Sequence, residues 1–355
     1  MTHDPAPSPL RFDAGGEQPL LIVSIDAEAE FDWAAPHRRG RIGTRSIEAQ
    51  GPAQAILERF GCRPIYLVDY PVASDAASAA LLRTLAREGR CEIGAHLNPW
   101  LTPPFAALDE TELNAGNLDR ATETAKLARL TETIGDAIGV RPRAYRAGRY
   151  AIGPNSFEIL HELGFDADLS VVPYTSFHAQ GGPDFTGWDW RPSRVGPGRE
   201  LLEIPLTCGL VGALATFGQG VNRVLARSPA KRLRLRGLAA RTGLFERIRL
   251  TPEGVSLTAL TRLTRGLLRQ GCRLFCLGYH SPSLLPGNTP YAPDEAACDA
   301  LLARLEAYLR FFRDEIGGGF TTPAEVVARF RDAAQDAGGV GRAGYGGRPA
   351  ARRVS

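Results

Sequence analysis

The feature that most constrains the fold of this chain is an alternation: short apolar runs closed by turn residues are separated by longer stretches with helical spacing. Parallel strands need a crossover between them, and a helix supplies it, so the alternation predicts βα units around a parallel sheet. The runs are 20–26, 64–68, 91–95, 143–146, 166–170, 201–204 and 272–279, about seven strands. Pro52 stands at the start of the first crossover helix, where a missing N–H costs nothing. Asp75 is placed to cap the helix carrying Leu81, Leu82 and Leu85, and Gly89 to end it. Thr322-Pro-Ala-Glu325 is a capping box, opening a last helix that closes the domain near Asp332. The expected architecture is α/β: a single distorted (β/α) barrel over residues 17–335. Residues 1–16 and 336–355, rich in Pro, Gly, Ala or Arg without an apolar period, read as flexible tails.

Composition narrows the class further. With 44% apolar and 23% charged residues in 355, the chain suits a globular protein with a large core. A net charge of +3 does not make the whole surface an attractor for nucleic acid or membrane, so no nucleic-acid partner is expected. Six cysteines, scattered without a CxxC pair and lying mostly in apolar runs, read as buried thiols rather than a disulfide framework or zinc finger. The first residues lack a basic start followed by an apolar stretch, and no later window holds eighteen uncharged apolar residues, which reads as a cytoplasmic, membrane-free protein. Local charge is concentrated within 211–250. There, between Arg223 and Arg249, Arg227, Lys231, Arg232, Arg234, Arg236, Arg241 and Arg247 interleave with leucines against the single acid Glu246. That spacing reads as a basic helical insertion. Such a helix is either a solvated face or a weak contact for anionic lipid or a phosphorylated glycan carrier.

If the barrel closes, chemistry belongs at the C-terminal ends of its strands, where the loops converge. Asp26, Glu28, His96, Arg146, Asp168 and His280 all satisfy this. Asp26 and Glu28, spaced i and i+2, can point to one side of an extended chain and hold a cation and a base; a solvated loop is the plainer reading. His96 follows an apolar strand and precedes Asn98-Pro99-Trp100, a place for a neutral imidazole ligand or for a hydrogen-bonded core histidine. His280 repeats that arrangement on a late strand. Arg146 and Arg149 can orient a carboxylate by bidentate hydrogen bonds or form surface ion pairs.

Taken in order, these residues resemble the polysaccharide deacetylases of the NodB-homology superfamily, over most of the folded region. The resemblance implies that Asp26 is the catalytic base and Glu28 the metal-binding acid, in a D-x-acid form. His96, after Glu-Ile-Gly-Ala, resembles the first metal histidine, and His280 the histidine that acts as general acid. Arg146 resembles the arginine that positions the base, although Arg146-Ala-Gly148 lacks the proline of that motif. Asp168 resembles the aspartate of the fourth family motif, and with Trp100 and Tyr279 it is expected to contact substrate. The second metal histidine is absent where the family has it, among residues that here include Pro99 and Trp100, and Asn98 is the nearest polar candidate.

The implied function is metal-assisted hydrolytic deacetylation of an N-acetylated amino sugar or glycan precursor. The implied cofactor is a divalent ion bound by Glu28, His96 and Asn98, zinc first, with manganese, cobalt or nickel also suited, and no organic cofactor. The alternative is a degenerate barrel that binds carbohydrate without turnover, with Trp33, Trp100, Trp188 and Trp190 stacking on sugar rings.

Overall fold

The computed structural model describes residues 10, 18–33, 42–105, 110–212 and 246–339. Nearly all of both expected tails and most of the basic insertion, 213–245, lie outside them. Apolar runs buried on both faces make the strands of the main sheet. They are β1 (Leu20–Ala27), β2 (Ile65–Val68), β3 (Glu92–Leu97), β4 (Ala144–Ala147), β5 (Ala167–Asp168), β6 (Ser193–Val195), β7 (Leu201–Glu203), β10 (Leu274–His280) and β11 (Gly319–Phe320). The strand order is β10-β1-β2-β3-β4-β5-β7-β6. The seven from β10 to β7 are mutually parallel, as the alternation required, while β6 runs antiparallel on the edge and β11 pairs with the start of β1.

The sheet curls without closing through strand pairing. A separate hairpin of β8 (Cys208–Val211) and β9 (Glu246–Arg249) stands at the gap. Thr207 N donates to Cys276 O, and Gly278 N donates to Leu250 O, so the hairpin's base bonds to β10. At the described ends of the expected insertion over 211–250 the chain forms antiparallel strands, so Arg247 and Arg249 lie on β9 rather than on a helix, while 213–245 lies outside the described residues.

Crossover helices cover the outside of the sheet. Asp75 caps Ala76–Arg87 by accepting from Ser78 N at 2.8 Å, and Gly89 follows with φ +68. The capping box forms as expected: Thr322 N donates to Glu325 Oε2, and Glu325 N to Thr322 Oγ1. The last helix, Pro323–Gly339, runs past Asp332. All six cysteines are buried free thiols.

One buried charge fixes the loop that follows β3. Lys126, on the helix Arg120–Ile138, is fully buried and donates Nζ to the carbonyl oxygens of Pro99, Thr102 and Pro104 at 3.0, 2.7 and 2.8 Å. Removing that donor leaves three carbonyls without it in the interior. Lys126→Met should therefore lower the unfolding free energy by about 3 kcal/mol, read from the urea midpoint.

Candidate active site

Strand register brings the chemistry together. Asp26 lies opposite His280 across β1 and β10, and His96 lies opposite Arg146 across β3 and β4. All four side chains stand at the strands' C-terminal ends, where the sequence placed them.

Arg146 is buried to 0% exposure and makes three bonds: Nη1 to Asp26 Oδ1 at 2.5 Å, Nη2 to Ser24 Oγ at 2.9 Å and Nε to Leu169 O at 2.9 Å. It thus holds one oxygen of Asp26 and leaves Oδ2, which faces His280 Nε2 at 3.6 Å. Burial pushes the Asp26 carboxyl up, but the charges of Arg146, His96 and His280 outweigh it and keep the pKa below the usual value. The missing motif proline has a local explanation. A Cβ on Gly148 would come within 2.2 Å of Asn98 Oδ1 and 2.7 Å of Leu97 O, so the backbone after Arg146 needs glycine to pass β3.

His280 owes its state to a residue the sequence reading missed, Glu253. Nδ1 of His280 lies 2.9 and 3.1 Å from the two oxygens of Glu253, so against a carboxylate it must carry the hydrogen and donate. The carboxylate also accepts from His280 N at 3.0 Å and from Ser283 Oγ at 2.5 Å. Burial alone would lower the imidazole pKa; the charge of Glu253 and its hydrogen bond outweigh burial and raise it to about 9. The same pairing holds Glu253 below the usual carboxylate range, although burial pushes the other way. His280 therefore presents a protonated Nε2 toward an ionised Asp26.

Glu28 and His96 come together as the resemblance implied, with Glu28 Oε2 and His96 Nε2 3.4 Å apart. His96 Nδ1 stands 3.1 Å from Arg146 O and donates to it, which turns Nε2 toward Glu28. The loop that carries Glu28 is fixed by Asp69, which accepts from Ala29 N and Val72 N at 2.8 and 3.0 Å. Burial raises the Asp69 carboxyl to about 7. Asn98 is brought close as well but turns its nitrogen inward: Nδ2 donates to Glu28 Oε2 at 3.3 Å. Among the described residues no group of three or more His, Cys, Asp or Glu side chains is arranged around a metal. Glu28 and His96 are the two side chains here that could hold a divalent ion, and their 3.4 Å separation suits neighbouring ligands at bond lengths of about 2.1 Å.

The three expected substrate contacts separate. Trp100 is buried and meets Phe31 edge to face at 5.8 Å, in a small cluster with Ala29, Leu101 and Leu113 beside the site. Tyr279 points the other way, donating its hydroxyl to Gln50 Oε1 at 3.0 Å within the core, because neighbours on a strand face opposite sides. Asp168 is also fully buried. It accepts from Ser170 Oγ at 2.6 Å and lies against Glu203 of β7, so its partners are protein groups. Burial raises both carboxyls, and the charge of Asp168 raises Glu203 further. The roof of the site is Trp33, edge-on to His280 at 5.0 Å and stacked on Phe31 at 5.8 Å. Beside it opens a cleft lined by Phe31, Trp33, Arg45, Asn288, Thr289 and Pro290.

Fold and site together define an open, curled βα barrel with a carboxylate and a histidine, Asp26 and His280, facing one another at its strand ends. No family model matches the chain, and no curated protein matches it by sequence. Solved structures do. A Mycobacterium smegmatis protein assigned as a polysaccharide deacetylase is 20% identical, over 94% of this chain and 96% of that one, with a TM-score of 0.51. Puue Allantoinase is 15% identical over 88% and 89%, with a TM-score of 0.50. The 4-alpha-glucanotransferase from Thermococcus litoralis is 14% identical with a TM-score of 0.50; the match covers 88% of this chain but 40% of that protein. The chain thus has the fold of the NodB-type polysaccharide deacetylases. Among the described residues no helix is long and apolar enough to cross a membrane.

Proposed function

We propose that this chain is a hydrolase of amide C–N bonds that removes an acyl group from an amino sugar or glycan precursor. The observation that carries the reading is the division of labour across β1 and β10: Arg146 holds Asp26 ionised while Glu253 holds His280 protonated, and the two free atoms face one another at 3.6 Å. A base and an acid kept in opposite protonation states at one place are what amide hydrolysis needs. Asp26 Oδ2 takes a proton from the attacking water as its oxygen bonds to the acyl carbon. His280 Nε2 gives its proton to the nitrogen as the C–N bond breaks, leaving a carboxylic acid and a free amine. The proton on Asp26 then returns to His280 or to water. A divalent ion held by Glu28 and His96 would polarise the acyl carbonyl and ease deprotonation of water.

Acetate release from N-acetylglucosamine and from a short chito-oligomer tests the reading, with the free amine measured in parallel. With two protein ligands rather than three, the ion should be weakly held. Protein purified without chelator should lose metal and most of its rate in dipicolinate, and regain both on titration with zinc, cobalt or manganese. An unchanged rate in metal-stripped protein would remove the ion from the reaction while leaving Asp26 and His280 in place. The inward-turned nitrogen of Asn98 favours a second reading, a carbohydrate-binding barrel without turnover. Saturable sugar binding with no acetate under any metal condition is the outcome that selects it.

A further inference from the structure

We propose that Arg249 binds an anionic group on the substrate, so that the site takes an acylated amine carrying a carboxylate or a phosphate. The inference rests on the hydrolytic reading for the word substrate, and on Arg249 itself for the anion. Arg249 ends β9 four residues before Glu253 and lines a cavity with Val172, Phe177 and Gly254, its guanidinium carbon 5.9 Å from the centre of the Tyr150 ring. Arg146 approaches the same ring at 6.0 Å, so Tyr150 separates the arginine that holds the base from a second arginine. Arg149 and Tyr150 sit at φ 57 and 59, a left-handed conformation that costs a non-glycine residue about 1 kcal/mol or more and is retained where the surroundings enforce it.

Arg249 has no direct carboxylate partner among the described residues, although Tyr150, Glu253 and Tyr291 nearby keep its guanidinium charged against burial. It is half-buried, and its one side-chain hydrogen bond among the described residues is a 3.5 Å contact to the Tyr150 hydroxyl. No carboxylate pairs with it among them, whereas Arg63, Arg90, Arg120, Arg143 and Arg265 all have one. The nearest acid whose charge it feels is Glu253, which is already engaged by His280 and Ser283. The stretch that joins β8 to β9, residues 213–245, contains no Asp or Glu and so offers no counter-charge. Withdrawing a guanidinium from water without a partner is costly, and the cost is met where a ligand brings the anion. Arginine suits that task because its planar fork bonds two oxygens of a carboxylate or phosphate at once.

The test compares N-acetylglucosamine, its 6-phosphate, and N-acetylmuramic acid, which carries a carboxylate, in wild type, Arg249→Gln and Arg249→Lys. The ratio of kcat/KM for the anionic to the neutral substrate should exceed unity in wild type. It should fall roughly 10- to 100-fold in Arg249→Gln, mostly through KM, and recover in part in Arg249→Lys. The phosphate and carboxylate arms tell which anion the site prefers. Equal losses on neutral and anionic substrates, or no preference in wild type, would overturn the proposal. A readout independent of turnover uses the tryptophan fluorescence of the holoprotein titrated with inorganic phosphate and with succinate. Saturable binding of either, weakened in Arg249→Gln and kept in the exposed Arg265→Gln, supports the anion site even if no substrate is hydrolysed. Absence of saturable binding of both, together with no anionic preference, sinks it.

Discussion

Replacing Asp26 by Asn lowers kcat by roughly 10² to 10⁴, because the amide cannot accept the proton of water. Asn also strips the buried Arg146 of its counter-charge, and leaving a buried guanidinium unpaired destabilises by about 3–5 kcal/mol. The rate is therefore read on protein shown to be folded by circular dichroism at the assay temperature. His280→Gln supplies the second arm: it leaves the Arg146–Asp26 pair at 2.5 Å untouched and should also lower kcat by at least roughly 10²-fold. If both folded variants hydrolyse at the wild-type rate, the acid–base assignment fails.

The second large effect is on pH dependence and comes from Glu253. The His280 pKa is raised to about 9, so activity that needs its proton persists through neutrality and is lost as pH rises through that value. In Glu253→Gln the hydrogen bond to Nδ1 survives while the charge goes, so the alkaline limb should move down toward the ordinary histidine value of about 6.5. The variant would then keep more of its kcat at pH 6 than at pH 8, a loss a merely structural role would not confine to one side. Stability follows the same sign. A histidine whose folded pKa lies above its unfolded one contributes stability that is fully present below about 6.5 and lost as pH rises through about 9. Melting temperatures should accordingly fall over that window in wild type and change less in Glu253→Gln. An alkaline limb that stays near 9 in the variant would show that another group sets it.

Much of this site was legible because strand ends are marked in sequence. An apolar run followed by a polar residue gave Asp26, His96, Arg146 and His280, and β-register did the rest. Glu253 was hidden for a definite reason. It follows β9, and β9 pairs with β8 across a long insertion whose interleaved Arg and Leu carry helical spacing up to β9 itself. A strand defined by a distant partner leaves a weaker local trace than a helix does. Tyr279 could have been placed from sequence: with His280 facing the site, period-two alternation sends its neighbour to the opposite side. Asn98 could not, since the orientation of an amide depends on Glu28 and Gly148, neither of which is near it in sequence. The edge strand β6 and the two-residue β11 are too short to carry a pattern.

The register that sets Asp26 opposite His280 also joins two strands far apart in the sequence, Leu20–Ala27 and Leu274–His280. During translation Arg146 can meet Asp26 before β10 has left the ribosome, since that pair uses only β1 and β4. The nascent barrel carries an open flank along β1 throughout that interval, a template for pairing with any other extended segment. On the proposed reading the site is complete only once β10 has paired with β1, and the onset of activity in a translation time course would report closure of the β1–β10 seam.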